Sequence, residues 1–488
     1  MDPGGTRVVM EKRDGAQRSK SFIRSLRNRH QMLRKGRIMV DITFMLDVVM
    51  KQRQFKVQEH WSRKLLEEHQ QRMARSLRRH AYEHSPFYQH FHTRLYDAPL
   101  DRLPVLTKAQ MMDQFDSLVT DKAVHLEAIK RYMENPKRSH YFLGRYVINA
   151  TSGSSGHPAV VLWSRGEWAA TMAAAFARTP LPFSFLHKRK LAQIASTTTF
   201  HMSAQGGTSA QNLLLPTLLL AATEPLDSML KRLDDWHPDV LVVYASMGRI
   251  LADEQLAGRL TIAPQAVMVG SEVLTAETRR RIEQAWGSSV FNNYATTEVG
   301  GIAVECDQHR GMHVMEDLVL VENVDQDNRP VPPGVFGDQL LVTPLYKRTQ
   351  PLIRYVIEDR VRFSSEPCPC GRPFKLIDAI EGRMQEVLSF PKANGGEVRI
   401  HPLLFHTLLD MLPVSGWQVV QEADGLHLLL AKVHGVLDDS QIERSMKSAL
   451  AAQEAVVPPI QVQRVDAIPQ TIAGKAPLVK SNLASASH

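Results

Sequence analysis

Thr151-Ser152-Gly153-Ser154-Ser155-Gly156-His157-Pro158 separates two apolar runs, Tyr146-Val-Ile-Asn-Ala150 before it and Ala159-Val-Val-Leu-Trp163 after it. Both runs read as strands, so the stretch between them reads as the tip of a hairpin. That tip is nearly all backbone and hydroxyl. Gly153 and Gly156 let the main chain approach an anion closely, and successive N–H groups make an anion-binding concavity. The hydroxyls of Thr151, Ser152, Ser154 and Ser155 add donors suited to phosphate oxygens. A mobile surface turn has the same composition. The stretch is not a Walker loop, because no Gly-Lys-Ser/Thr follows it and no helix is signalled after it.

Working outward, the chain has 488 residues, 43% of them hydrophobic, which suits two to three domains with a buried core. Lys plus Arg is 59 and Asp plus Glu 51, a net charge of +8. That mild excess suits anionic small ligands and does not by itself argue for nucleic acid. Three cysteines exclude a disulfide framework and fit a reducing compartment. No apolar run approaches the ~20 residues that span a bilayer, and no signal-peptide core follows the basic N-terminus. The expectation is a cytoplasmic protein that neither crosses nor enters a membrane.

Residues 1–36 are rich in Arg and Lys and poor in apolar side chains, so they read as a solvated extension, with an RNA- or membrane-surface arm as the alternative. Ile38 to Met50 reads as a helix that packs on the body or on a second subunit, the latter making a homodimer. His60 to His92 has helical periodicity, broken at Ser85-Pro86. Thr107 is a good N-cap for the next helix. Beyond the hairpin, Glu167 to Arg178 and the apolar Leu213 to Ala222 read as helices. Lys190 to Ser196, Pro238 to Tyr244 and Ala266 to Val269 read as buried strands. Strands alternating with helices predict a mostly parallel sheet covered on both faces, with ligands at the carboxyl ends of its strands. Those ends carry Phe200-His201, Tyr244-Ala245-Ser246 and Gly270-Ser271-Glu272.

Further downstream, Asn293-Tyr294-Ala295-Thr296-Thr297-Glu298 sets an aromatic face, hydroxyls and a carboxylate at a strand end. An aromatic can stack on a base, a hydroxyl can bond a phosphate, and a carboxylate can hold Mg²⁺. An ordinary strand end with a polar turn has the same make-up. Cys306, Cys368 and Cys370, with His309 or His313, would suit a Cys₃His site of structural zinc type; three buried free thiols are the alternative.

Five motifs in order resemble the adenylate-forming (acyl- and aryl-CoA ligase) superfamily over about residues 80–480. The opening stretch resembles that family's T-S-G-T-T-G-x-P loop, which holds the β- and γ-phosphates of ATP, with His157 where lysine is common. Tyr294-Ala295-Thr296-Thr297-Glu298 resembles Y-G-x-T-E. The likeness implies Tyr294 beside adenine, Thr297 on the α-phosphate and Glu298 on Mg²⁺. Gly270-Ser271-Glu272 resembles a GGE turn that lines the adenine pocket. Pro351-Leu-Ile-Arg354-Tyr355 to Asp359 resembles PLIRYxxGD, whose aspartate grips the ribose, with Glu358 in place of glycine. Glu381-Gly382-Arg383-Met384-Gln385 resembles the GRxDD junction, where Arg383 could reach ribose or phosphates. Pro469 to Pro477 resembles PxTxxGKxP, which makes Lys475 the adenylation lysine. "HSPFY" and "LPxLTK", present at His84 and Leu103, are similar to the phenylacetate–CoA ligase branch.

The resemblance implies an α/β fold: a basic extension and helix (1–50), a large N-terminal AMP-binding domain (51–382) and a small mobile α+β C-terminal domain (383–488). It implies ATP- and Mg²⁺-dependent activation of a carboxylic acid, aromatic in this branch, and transfer to coenzyme A. Phe200, His201, Tyr244, Ala245, Ser246 and Gly270 would line the acid. Some relatives bind zinc at matching Cys and His positions, which implies zinc on Cys306, His313, Cys368 and Cys370. The alternatives are a different acceptor (a carrier-protein thiol, an amine or nitrite) and a non-catalytic nucleotide- or RNA-binding relative.

Overall fold

The computed structural model describes residues 41–134, 141–151, 159–178, 189–212, 215–383, 387–400, 402–471 and 475–483. The basic extension, the hairpin tip (Ser152, Gly153, Ser154, Ser155, Gly156, His157 and Pro158) and the junction residues Met384 to Glu386 lie outside them.

Helix α1 (Ile42–Gln58) begins where Asp41 accepts from the Phe44 N–H at 3.0 Å. It runs further than the Ile38–Met50 segment suggests, because Phe55 continues the buried face set by Phe44 and Val48. Ser62 caps α2 (Arg63–His84). Ser85 then ends that helix in extended conformation and caps α3 (Pro86–Phe91), with proline in the first turn, where no donor is lost. Thr107 and Gln110 form a reciprocal capping box.

Strands β1 (Tyr146–Ala150) and β2 (Val160–Ser164) pair antiparallel as the expected hairpin, and α4 (Arg165–Arg178) follows. The chain then alternates β3 (Leu191–Ala195), β4 (Thr217–Ala221), β5 (Val240–Tyr244), α5 (Ala245–Leu256), β6 (Ala266–Gly270), α6 (Ala276–Trp286) and β7 (Ser289–Thr296). These strands run parallel, in the order β7-β6-β5-β3-β4. The expected helix over Leu213–Ala222 is corrected here: Thr217–Ala221 is an edge strand on β3. Pro216 cannot sit inside a helix, and a short apolar run carries no periodicity to separate helix from strand.

Antiparallel strands β8 (Gly300–Glu305), β9 (Met312–Val314), β13 (Asp359–Phe363) and β14 (Leu376–Arg383) extend the sheet to nine strands. Strands β10 (Val319–Val324), β11 (Gln339–Pro344) and β12 (Tyr355–Ile357) form a separate antiparallel layer. From Leu388 onward a four-stranded sheet surrounds its own core, which includes Phe405, Trp417, Leu428 and Met446.

The strand order fixes where a ligand cleft opens. From β3 the chain turns outward to β4, and from β5 it turns the other way to β6. The carboxyl ends of β3 and β5 are therefore a topological switch point, where diverging connections leave a crevice.

Candidate active site

At that switch point the Tyr244 hydroxyl accepts from the Ser196 N–H at 2.8 Å. Ser203 bridges the Ser196 carbonyl (3.0 Å) and His201 Nδ1 (2.7 Å). Burial and the nearby Lys475 ammonium push the His201 pKa down to about 4, so the ring is neutral near pH 7. Phe200 is packed into a core with Tyr146, Ile148 and Leu162, and its carbonyl accepts from Ala150 N–H at 2.8 Å. Its ring supports the hairpin, whereas His201 and Tyr244 face the lysine.

Lys475 arrives from the C-terminal part of the chain. Its Nζ lies 6.0 Å from the centre of the Tyr244 ring. The turn that carries it is closed by Thr471 N–H on the Lys475 carbonyl (2.8 Å) and Lys475 N–H on Thr471 Oγ1 (3.2 Å). The next residue, Ala476, donates its N–H to Glu272 Oε1 at 3.1 Å, while Glu272 Oε2 accepts from Ser246 N–H at 2.8 Å. A cleft of about 1360 Å³ opens here, with Ala245, Ser246, Ser271, Glu272 and Lys475 in its wall.

Ser271 sits at φ +68°, the left-handed conformation for which glycine is the usual residue. Gly270 beside it is required by packing: a Cβ there would meet the Asn293 carbonyl at 2.9 Å. Ser271 and Glu272 are thus turned out of the sheet at the end of β6.

A second cluster forms at the end of β7. Tyr294 donates its hydroxyl to Asp359 Oδ2 at 2.6 Å, joining two residues 65 apart in sequence. Asp359 in turn lies in register with Arg383 on the neighbouring strand. A register shift between Tyr294 and Ala295 kinks β7, and Thr296 Oγ1 accepts from Val299 N–H at 3.3 Å to close the turn. This turn presents Thr297 and Glu298, both half-buried. Asn293 pairs with Val304 and Gly270 on either side. Glu358 is exposed and outside the left-handed region, so the change from glycine strains nothing. Tyr294, Thr297, Glu298 and Asp359 lie beyond the wall of the 1360 Å³ cleft. At the hairpin base Thr151 Oγ1 accepts from Ala159 N–H at 2.8 Å, fixing where the glycine-rich tip starts.

The family described as "AMP-binding enzyme" matches residues 122–343. A phenylacetate-coenzyme A ligase of Thermus thermophilus is 27% identical over 314 residues, 59% of this chain and 67% of the relative. Another, of Pseudomonas putida, is 26% identical over 281 residues, 54% of this chain and 62% of the relative. The chain is thus similar to AMP-binding enzymes over residues 122–343 and, among curated relatives, to phenylacetate-coenzyme A ligases. A crystal structure of 2-hydroxyisobutyryl-CoA ligase in the postadenylation state superposes with a TM-score of 0.65 at 18% identity, covering 85% of this chain and 89% of the other. At that identity the likeness concerns the fold.

The three cysteines gather around one histidine. Cys306 Sγ is 3.7 Å from Cys368 Sγ, and Cys370 Sγ is 3.2 Å from His313 Nε2. All four ligand atoms lie within 4.8 Å of one another. A tetrahedral zinc site with arms of about 2.3 Å has edges of roughly 3.8 Å, so the donor set fits. His309 points elsewhere, with its ring 5.1 Å from Phe291 and its Nδ1 3.6 Å from Glu305. Burial and the neighbouring thiols push Cys306 up to about 12.

Sequence reasoning missed a buried layer under the β7 turn. Lys347 is fully buried, donates to the Glu298 carbonyl at 2.9 Å and lies 3.7 Å from the Trp163 ring centre. Tyr346 donates to the Val299 carbonyl at 3.0 Å. Glu167 accepts from the Arg348 and Thr349 N–H groups at 2.6 and 2.7 Å. Gln350 accepts from Leu162 N–H at 2.9 Å. One loop therefore ties the strand leaving the hairpin tip to the turn bearing Glu298. A charged run such as Lys347-Arg348 reads as solvent-facing; the signal was its place just before Pro351-Leu-Ile-Arg.

Proposed function

We propose that the chain activates an aromatic carboxylic acid with ATP, giving acyl-AMP and pyrophosphate, and then transfers the acyl group to coenzyme A. The observation that carries this reading is the meeting of Lys475 with His201, Tyr244 and Glu272 at the switch point of the sheet. A mobile ammonium there stabilises charge developing on the α-phosphate as the acid's oxygen attacks. Neutral His201 and Tyr244 would wall the acid. Thr151 with the hairpin tip would cradle the β- and γ-phosphates, Thr297 the α-phosphate, and Tyr294 with Asp359 the nucleoside.

Glu298 would hold Mg²⁺, which when bound offsets phosphate charge. Cys306, His313, Cys368 and Cys370 would hold a zinc ion whose role is structural, because four protein ligands leave no open position. The separate core of residues 388–479 supports dividing the chain near residue 383 into a large body and a small domain that would move. Among the described residues no helix is long and apolar enough to cross a membrane. The free thiols favour a reducing compartment such as the cytoplasm.

The test is an ATP–pyrophosphate exchange screen over aromatic and aliphatic acids, with mass detection of the product for coenzyme A, carrier-protein and amine acceptors. Acid-dependent exchange with an aryl acid and an acyl-CoA product is expected. Absence of exchange with every acid overturns the reading.

A further inference from the structure

The lysine that completes the site belongs to the C-terminal part of the chain, so something on the body must hold it there. Glu272 is placed to do so. It is turned out at the end of β6 by the left-handed Ser271, and its carboxylate spans two backbone donors. One donor, Ser246 N–H at 2.8 Å, belongs to the first turn of α5 in the body. The other, Ala476 N–H at 3.1 Å, belongs to the residue after Lys475.

We infer that Glu272 is a positioning residue that catches the Lys475 turn and holds the small domain in its acid-activating position. The inference rests on the ligase reading above. It differs from the adenine-lining role that the resemblance implies for this turn.

Three observations support the catch. The carboxylate is held on the body side by the Ser246 N–H and hydroxyl and on the other side by the Ala476 N–H, so it links the two where a purely local contact would not. The bond reaches the backbone directly beside the catalytic ammonium, so a small shift there moves Nζ relative to Tyr244 and His201. Two other contacts across the cleft involve neither Lys475 nor its neighbours in sequence: Arg249 donates to the Val414 carbonyl at 2.7 Å, and Lys432 pairs with Glu254 at 3.4 Å. Both reach from the later turns of α5. They dock the small domain, and Glu272 sets the lysine turn. A buried carboxylate bridging two N–H groups also has a cost. Burial raises its pKa, opposed by those two bonds, by the Ser246 hydroxyl and by the Lys475 charge. Release of the Ala476 bond removes one of the three donors on a buried carboxylate, which favours recapture.

The two roles separate experimentally, because acyl-AMP contains adenine and a supplied acyl-AMP needs no Lys475. Glu272→Ala and Glu272→Gln would be compared with wild type in the full chain. Pyrophosphate exchange at saturating ATP and thioester formation from supplied acyl-AMP would be measured separately. The catch predicts exchange falling at least tenfold in Glu272→Ala and less in Glu272→Gln, which keeps one acceptor oxygen. Thioester formation and the KM for acyl-AMP would stay within about twofold. Exchange within twofold of wild type overturns it. So does a parallel rise in KM for ATP and acyl-AMP, the mark of an adenine contact. If Glu272→Ala fails to fold, the same comparison on Glu272→Gln decides. Absence of exchange in wild type with every acid is a different result, and it overturns the ligase reading instead.

Discussion

Tyr294 and Asp359 are joined by a hydrogen bond of 2.6 Å between the phenol and Oδ2, with both residues buried. The bond ties the end of β7 to the start of β13, strands separated in the sheet by β8, β9 and β14. The two motifs that most resemble nucleotide-binding segments thus form one unit.

Tyr294→Phe should loosen that unit. A buried hydrogen bond to a carboxylate contributes about 1.5–3 kcal/mol, and its loss leaves an acceptor short of a donor. Urea unfolding should show a loss of that size, and the KM for ATP should rise several-fold. Unchanged stability and KM would mean that Asp359 finds another donor and that the pair does not organise the site.

Lys475→Ala should abolish acid-dependent pyrophosphate exchange, a loss of at least a hundredfold. Thioester formation from supplied acyl-AMP should survive, because the proposed role of the lysine is confined to the first half-reaction. The assay compares the two half-reactions on one preparation. Equal loss of both would refute the two-position picture.

Much of this was legible in the residues. The hairpin strands, the N-cap at Thr107, and the strands at Val240 and Ala266 follow from local chemistry that tertiary context did not override. The thiol cluster was legible because the chain has only three cysteines and the resemblance implied that they gather with His313. What could not be read was pairing across long separations. Nothing local says that Tyr294 bonds Asp359, or that Glu272 reaches Ala476. Lys347 was hidden for another reason: lysine is seldom fully buried, so a charged run is read as surface until a ring and carbonyl appear around it. Thr217–Ala221 was misread because an apolar run of that length fits either helix or strand.

The Cys306–His313–Cys368–Cys370 cluster should bring about one zinc per chain through purification, measured by elemental analysis. The cluster pins the end of β8 and β9 to the loop before β14, so Cys368→Ser should lower both the zinc content and the melting temperature. Three titratable thiols in native, zinc-free protein would end the proposal.

The buried Lys347 gives the last prediction. Burial lowers its pKa to about 7, while the Glu167 and Glu298 carboxylates pull the other way. A lysine of the unfolded chain titrates near its ordinary value of 10.5. Between those values the unfolded state holds a proton that the folded state has released. Stability from this group therefore rises as pH climbs from about 7 towards about 10.5, and below pH 7 its burial penalty is fully present. Lys347→Met keeps the packing against Trp163 and removes the charge. The wild-type melting temperature, plotted against pH from 7 to 10, should carry an upward contribution that Lys347→Met lacks. The same variant frees the Glu298 carbonyl from its 2.9 Å bond, so the turn bearing Glu298 loses its support. Half-saturating Mg²⁺ in pyrophosphate exchange should then rise several-fold, approaching the value for Glu298→Gln. Parallel pH profiles together with an unchanged Mg²⁺ requirement would show that Lys347 neither titrates in this range nor orders the metal-binding turn.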